Sequence, residues 1–312
     1  MSKFFPTFGE LRFEDVLAQS RIDAHKNGYN LLKLLNDISD FKTNQVFAVA
    51  TAESATAGLV FSTLVDIPFG GSFKYGCFGV YDTDAKRVML GVEVEDVYTL
   101  KCAKEMAEGI LRNSNASIGI SISGNVMPLQ DSQESVERVG EVFIGVAFYI
   151  GEKSIKSFTN VYNFCEEDPV DNSVSSICKL WYTNTMSERL LSKELTAKQK
   201  EKFVKKYKGI GSLLDGYNPF EITSLMASYL RNMITRQAFA DCIRYIEANR
   251  TTIIVPQFVI QNKAQLALAS VRKAFPKDTN NKVLDRTNIK SKCVSTNCGD
   301  SKRKVKKLFT NK

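Results

Sequence analysis

The chain has 312 residues, 44% of them hydrophobic, which is enough for a sizeable core in one large domain or two modest ones. It carries 42 basic and 34 acidic side chains, for a formal net charge of +8. No run of about 18 uncharged apolar residues occurs, so no membrane span is expected. The start, Met1-Ser-Lys-Phe-Phe-Pro-Thr-Phe-Gly-Glu10, has no basic segment leading into an apolar one, so no secretory leader is expected.

Residues 1–19 read as an arm that docks on the body. Residues 20–37 read as a helix with Tyr29, Leu31, Leu32, Leu34 and Leu35 on its apolar face. Val46-Phe-Ala-Val-Ala-Thr51 has the length and composition of a buried strand. The small residues of Glu53-Ser-Ala-Thr-Ala-Gly-Leu59 suit a tight turn into a helix that runs to about Val65. Gly79-Val80-Tyr81 ends an extended segment, and Asp82 or Thr83 caps a following helix. Residues 101–112 read as helix, 117–123 and 141–150 as strands, and 171–191 as a helix carrying Trp181. Strands alternating with helices give an α/β layered domain over 20–191.

Beyond 192 the character changes. Residues 193–208 hold seven lysines and two glutamates, a polar helix or hinge. Gly209-Ile-Gly-Ser-Leu-Leu-Asp-Gly216 lacks the Gly-Lys-Ser/Thr of a phosphate loop and reads as a turn. Helical periodicity over 219–248 and 259–274 gives a small helical module within 192–280.

The net charge is localised. Residues 281–312 hold ten basic and two acidic side chains, and the rest of the chain is balanced. With few apolar residues, this tail is expected to be disordered. Its cluster Lys302, Arg303, Lys304, Lys306 and Lys307 is a candidate contact for RNA or another polyanion, through counterion release. An import signal, an acidic protein partner and a merely solvated tail remain open.

Cysteine and histidine narrow the chemistry. The seven cysteines (77, 102, 165, 178, 242, 293 and 298) are odd in number and scattered, which reads as reduced thiols in a cytoplasmic compartment. Cys293 and Cys298 give two ligands where zinc needs four, so no metal is expected. The single histidine, His25, lies in the polar segment Ser20-Arg-Ile-Asp-Ala-His-Lys-Asn27 and reads as a surface residue. Triads and clusters that need histidine are thereby excluded.

The informative segment is Thr51-Ala-Glu-Ser-Ala-Thr-Ala-Gly58, followed by Tyr81-Asp-Thr-Asp-Ala-Lys86-Arg-Val-Met-Leu-Gly-Val92. A serine between a buried strand and a helix N-terminus suits a nucleophile beside donors for an oxyanion. A lysine serves as its base when desolvation lowers its pKa. Helix capping is the competing role for Ser54.

These segments resemble the C-terminal domain of CinA proteins, the nicotinamide-nucleotide amidase family. The likeness includes Ile67-Pro-Phe-Gly-Gly-Ser-Phe73, Gly79-Val-Tyr81, Ala85-Lys86, Leu90-Gly91-Val92, Met106-Ala-Glu-Gly109, Ser121-Ile-Ser-Gly124 and Val139-Gly140, in order over roughly 20–190. The resemblance implies a three-layer α/β/α fold and deamidation of nicotinamide mononucleotide. It also implies Ser54 as nucleophile, Lys86 as base, Tyr81 as relay or positioning group, and Ser123 as a substrate or oxyanion contact. No cofactor is implied.

The chain departs from the family around the pocket. The segment before Met106 is shorter, Asn125-Val-Met-Pro128 replaces Ile-Ala-Gly-Pro, and Arg138 replaces a proline. Asn163-Phe-Cys-Glu-Glu-Asp-Pro169 replaces Gly-Asp-Arg, and 139–188 contains no arginine, which leaves Arg138 as the compensating guanidinium. Val126 and Met127 are expected to crowd the hollow. These departures favour a retired enzyme fold used as a cytoplasmic, homo-oligomeric assembly protein that gathers RNA or acidic partners. In size and layout it is weakly similar to the non-structural proteins of plant reovirus replication factories, which implies host cytoplasm. A working amidase is the alternative.

Overall fold

Strand β1 (Val49–Glu53) is buried at every position, and β3 (Ile118–Gly124) and β4 (Glu141–Tyr149) at all but one terminal position each. Strands of this kind need cover on both sheet faces, and the computed structural model supplies it. The structure describes residues 13–68, 70–127, 138–165 and 219–274. With β2 (Lys74–Gly79) and β5 (Ile155–Asn163), the strands form one sheet in the order β2-β1-β3-β4-β5. β1 pairs in parallel with β2 and β3, while β4 runs antiparallel to β3 and β5.

Alternation along the strands sorts the two faces. Val49, Ile120, Ile122, Ile144 and Val146 face α1 (Phe13–Ile38), α2 (Leu59–Asp66) and α5 (Pro219–Ala248), in one cluster with Leu31, Leu35, Leu64, Leu230 and Phe239. Ala50, Ala52, Ala147 and Tyr149 face α3 (Thr83–Leu90) and α4 (Leu100–Arg112), against Leu90, Met106 and Ile110. The fold is a three-layer α/β/α arrangement. Gly109 sits where α4 meets α3, and a Cβ there would strike the Leu90 carbonyl.

Several boundaries differ from expectation. Residues 13–19 are the first turns of α1 rather than an arm, because Val16 and Leu17 pack on the core and the Ser20 hydroxyl accepts from Asn232 Nδ2 at 3.0 Å. β5 was not anticipated. It is an edge strand of half-exposed residues, so its sequence lacks a continuous apolar run.

The C-terminal helices α5 and α6 (Gln257–Ala274) are present, and they share the core of the sheet rather than forming their own. Side chains such as Leu230 and Phe239, wholly buried there, each contribute about 1.5–3 kcal/mol. α5 is also tied to β5 by Asp241, which accepts from Asn160 Nδ2 and Tyr162 Oη at 2.8 Å each, and by the stacked rings of Phe158 and Tyr245, 4.2 Å apart. The expected boundary at 191/192, the helix with Trp181, the lysine-rich segment, the turn at 209–216 and the basic tail lie outside the described residues.

His25 is on α1, where Nδ1 meets the Arg21 carbonyl at 2.8 Å and Nε2 meets Asp66 at 3.3 Å. It joins α1 to the end of α2. Cys77, Cys102, Cys165 and Cys242 take part in no disulfide among the described residues. Among the described residues no helix is long and apolar enough to cross a membrane, and no His/Cys/Asp/Glu group could hold a metal ion.

Candidate active site

β1 ends between its two parallel neighbours. The Val80 N–H donates to the Glu53 carbonyl at 2.9 Å, and the Ser54 N–H donates to the Ile122 carbonyl at 3.0 Å. The chain then turns through 54–58, with Ala57 at φ 53° and Gly58 at φ 91°. Gly58 adopts this left-handed conformation freely, whereas Ala57 does so at a cost of about 1–2 kcal/mol.

Glu53 holds the strained turn. Its carboxylate, 1% exposed, accepts from Thr51 Oγ1 at 2.8 Å, Thr56 Oγ1 at 2.7 Å, Val60 N–H at 3.1 Å and Phe61 N–H at 2.9 Å. The last two are first-turn donors of α2, so Glu53 performs the capping otherwise assigned to Ser54. Gly58 holds the N-cap position and offers no side chain. The Ser54 hydroxyl is not the cap of α2. Nearby Cys77 is no competing nucleophile, because burial and then the charge of Glu53 push its thiol up to about 11.

Lys86 reaches the same place from α3, whose N-cap is Asp82, accepting from the Asp84 N–H. It is 2% exposed, and Nζ donates to the Tyr81 carbonyl at 2.8 Å and to Ser54 Oγ at 3.2 Å. Burial lowers its pKa, against the opposing influence of Cys102 and Asp82.

Ser54 and Lys86 open onto a cavity of about 230 Å³, also lined by Tyr81, Asn125, Val126 and Arg231. Val126 and Met127 form part of the wall and leave the space open, contrary to the expected crowding. The volume is below the about 300–1,000 Å³ of sites that engulf drug-sized ligands, and suits a small metabolite partly held at the mouth.

The other anticipated residues divide. Tyr81 stands at the mouth, 71% exposed, and its backbone carbonyl is what meets Lys86. Ser123 is buried and donates to the Val97 carbonyl at 2.7 Å; it is not among the cavity walls. Arg138 bonds Glu141 at 2.9 Å and lies over the Tyr98 ring, so it also stays out of the walls. Lys302, Arg303, Lys304, Lys306 and Lys307 are outside the described residues.

Sequence reasoning missed three residues. Glu53 had a signal, an acidic residue shortly before a helix start. Asn125 was noted only within a departing segment. Arg231 had no local signal, since its place depends on how α5 packs.

Comparison with known proteins matches part of the α/β domain. Residues 32–167 match the family model of the CinA C-terminal domain. A CinA-like protein of Chlorobium phaeobacteroides is 36% identical over 143 residues, covering 43% of this chain and 33% of the relative. A putative competence-damage inducible protein of Clostridium perfringens is 38% identical over 146 residues, covering 45% and 34%. The chain therefore spans about a third of the length of these curated relatives. The crystal structure of competence/damage inducible protein CihA from Agrobacterium tumefaciens is similar with a TM-score of 0.40 and 22% identity, over 54% of this chain and 94% of that one. The two sequence relatives are bacterial and lend no support to the plant reovirus likeness. Residues 32–167 are thus similar to the CinA C-terminal domain, and both C-terminal helices lie beyond the match.

Proposed function

We propose that the cavity is the site of a Ser–Lys amidohydrolase that deamidates nicotinamide mononucleotide to nicotinic acid mononucleotide and ammonia. The observation that carries this reading is the buried Lys86 amine, 3.2 Å from Ser54 Oγ, beside an open cavity. In its neutral form the amine accepts the Ser54 proton while Oγ attacks the carboxamide carbon. The resulting ammonium returns that proton to the departing nitrogen, which leaves as ammonia and an ester on Ser54. Lys86 then takes a proton from water, hydroxide adds to the ester, and the proton returns to Oγ. The Tyr81 carbonyl keeps Nζ aimed at Ser54 throughout. Purified protein should release ammonia from nicotinamide mononucleotide, and Ser54→Ala should abolish it. No release from the wild type, or full release from the variant, overturns the reading.

A second reading, assembly around RNA or acidic partners, is favoured by the ten basic against two acidic side chains of 281–312. Deleting this tail should weaken RNA binding and flatten its salt dependence in filter-binding titrations. Unchanged binding removes the tail from any such role.

A further inference from the structure

We propose that Arg231 of α5 binds the phosphate of the substrate, so that a helix outside the family-matched segment sets the specificity of the cavity. The identity of the substrate rests on the amidohydrolase reading.

Arg231 lines the cavity with Ser54 and Lys86. Its Nε donates to the Ala55 carbonyl at 3.2 Å, one residue past Ser54, which fixes the guanidinium against the turn. The two terminal nitrogens make no hydrogen bond to any described residue, and they form the planar fork that meets a phosphate bidentately. The competing cations are committed elsewhere: Lys86 to Ser54 and Tyr81, Arg138 to Glu141 and Tyr98. Asp82, the acidic wall residue, repels an anion and so steers it toward Arg231.

A second observation also points to a ligand. Asn125 lines the cavity at 4% exposure, and its Oδ1 is buried with no hydrogen-bond partner among the described residues. A buried acceptor of this kind calls for a donor, which a carboxamide N–H or a ribose hydroxyl supplies. The cavity thus presents a free acceptor and a cationic fork around one nucleophile, matching a ligand that joins a donor-bearing head to an anion.

Calorimetric titration of the full chain with nicotinamide mononucleotide and with nicotinamide riboside, which lacks the phosphate, tests this. The wild type should bind the phosphorylated ligand about tenfold to a hundredfold more tightly. Arg231→Gln should bring that ratio close to one while leaving riboside affinity within about twofold, and Arg231→Lys should retain part of it. A merely structural arginine would weaken both ligands alike. A ratio unchanged in Arg231→Gln, a wild type that binds the two alike, or one that binds neither overturns the proposal. Ammonia release, followed in parallel, separates the two claims. Discrimination without release removes the amidohydrolase and keeps Arg231, whereas release with unaltered discrimination removes Arg231 alone.

Discussion

Glu53 and Asp241 are two carboxylates buried to the same degree, each 1% exposed, and each gathers several donors. Glu53 serves one short stretch: four of its partners lie within eight residues of it, and Cys77 is the fifth. Asp241 instead joins distant segments, drawing on Asn160 and Tyr162 of β5 and on Gln237 and Arg244 of its own helix. The first arrangement shapes the loop that carries Ser54 and the second fastens a helix to a sheet. Their surroundings also differ, because Val60 N–H, Thr51 and Thr56 are sealed from water, whereas Arg244 is 57% exposed.

That contrast sets the expected order of effects. Glu53→Ala leaves several enclosed donors without an acceptor, at about 1–3 kcal/mol each where water cannot enter. It should lower unfolding free energy by about 3 kcal/mol or more in urea titrations, and remove ammonia release by freeing the Ser54 turn. Asp241→Ala releases donors that water can reach, so a loss of about 1–2 kcal/mol is expected, with release retained while α5 stays docked. A larger loss for Asp241→Ala than for Glu53→Ala would break the comparison.

Lys86 sharpens it with a smaller effect. It is a buried cation whose hydrogen-bond partners are a carbonyl and a hydroxyl rather than a carboxylate. Its folded pKa lies below the ordinary 10.5 because burial disfavours the charged form. Between those two values the unfolded chain binds more protons, so stability rises with pH across that window. Lys86→Met should lack this slope when melting is followed at stepwise alkaline pH. The rising limb of ammonia release should fall below pH 10.5 for the same reason, and a parallel slope in the variant would contradict it.

Much of the sheet and of the helices around it was legible, since β1 and β4 are apolar runs of strand length, β3 alternates at strand spacing and α4 has helical spacing. The strand β5 was not, because half-exposed polar residues at an edge carry little period. The proximity of Ser54 and Lys86 was legible only through motif order; 32 residues separate them, and the contact needs α3 to dock beside β1. The fate of the Ser54 hydroxyl depended on a neighbour: once Glu53 caps α2, the serine has no structural duty there. Arg231 lies 176 residues from Ala55, a contact that arises only once α5 packs against α1, α2 and the sheet. Val126 and Met127, expected to crowd the hollow, line its wall and leave a small cavity of about 230 Å³.

The shared core of α5 and the sheet also bears on how the molecule is made. A polypeptide emerging from the ribosome has Ser54 and Lys86 by residue 86, but the apolar side of β3 and β4 lacks part of its cover until residues 226–246 arrive with Met226, Leu230, Phe239 and Ile246. Excising residues 32–167 as a fragment would strand that greasy surface in solvent and invite self-association. The last helices are thus as necessary to the birth of the domain as the strands that precede them.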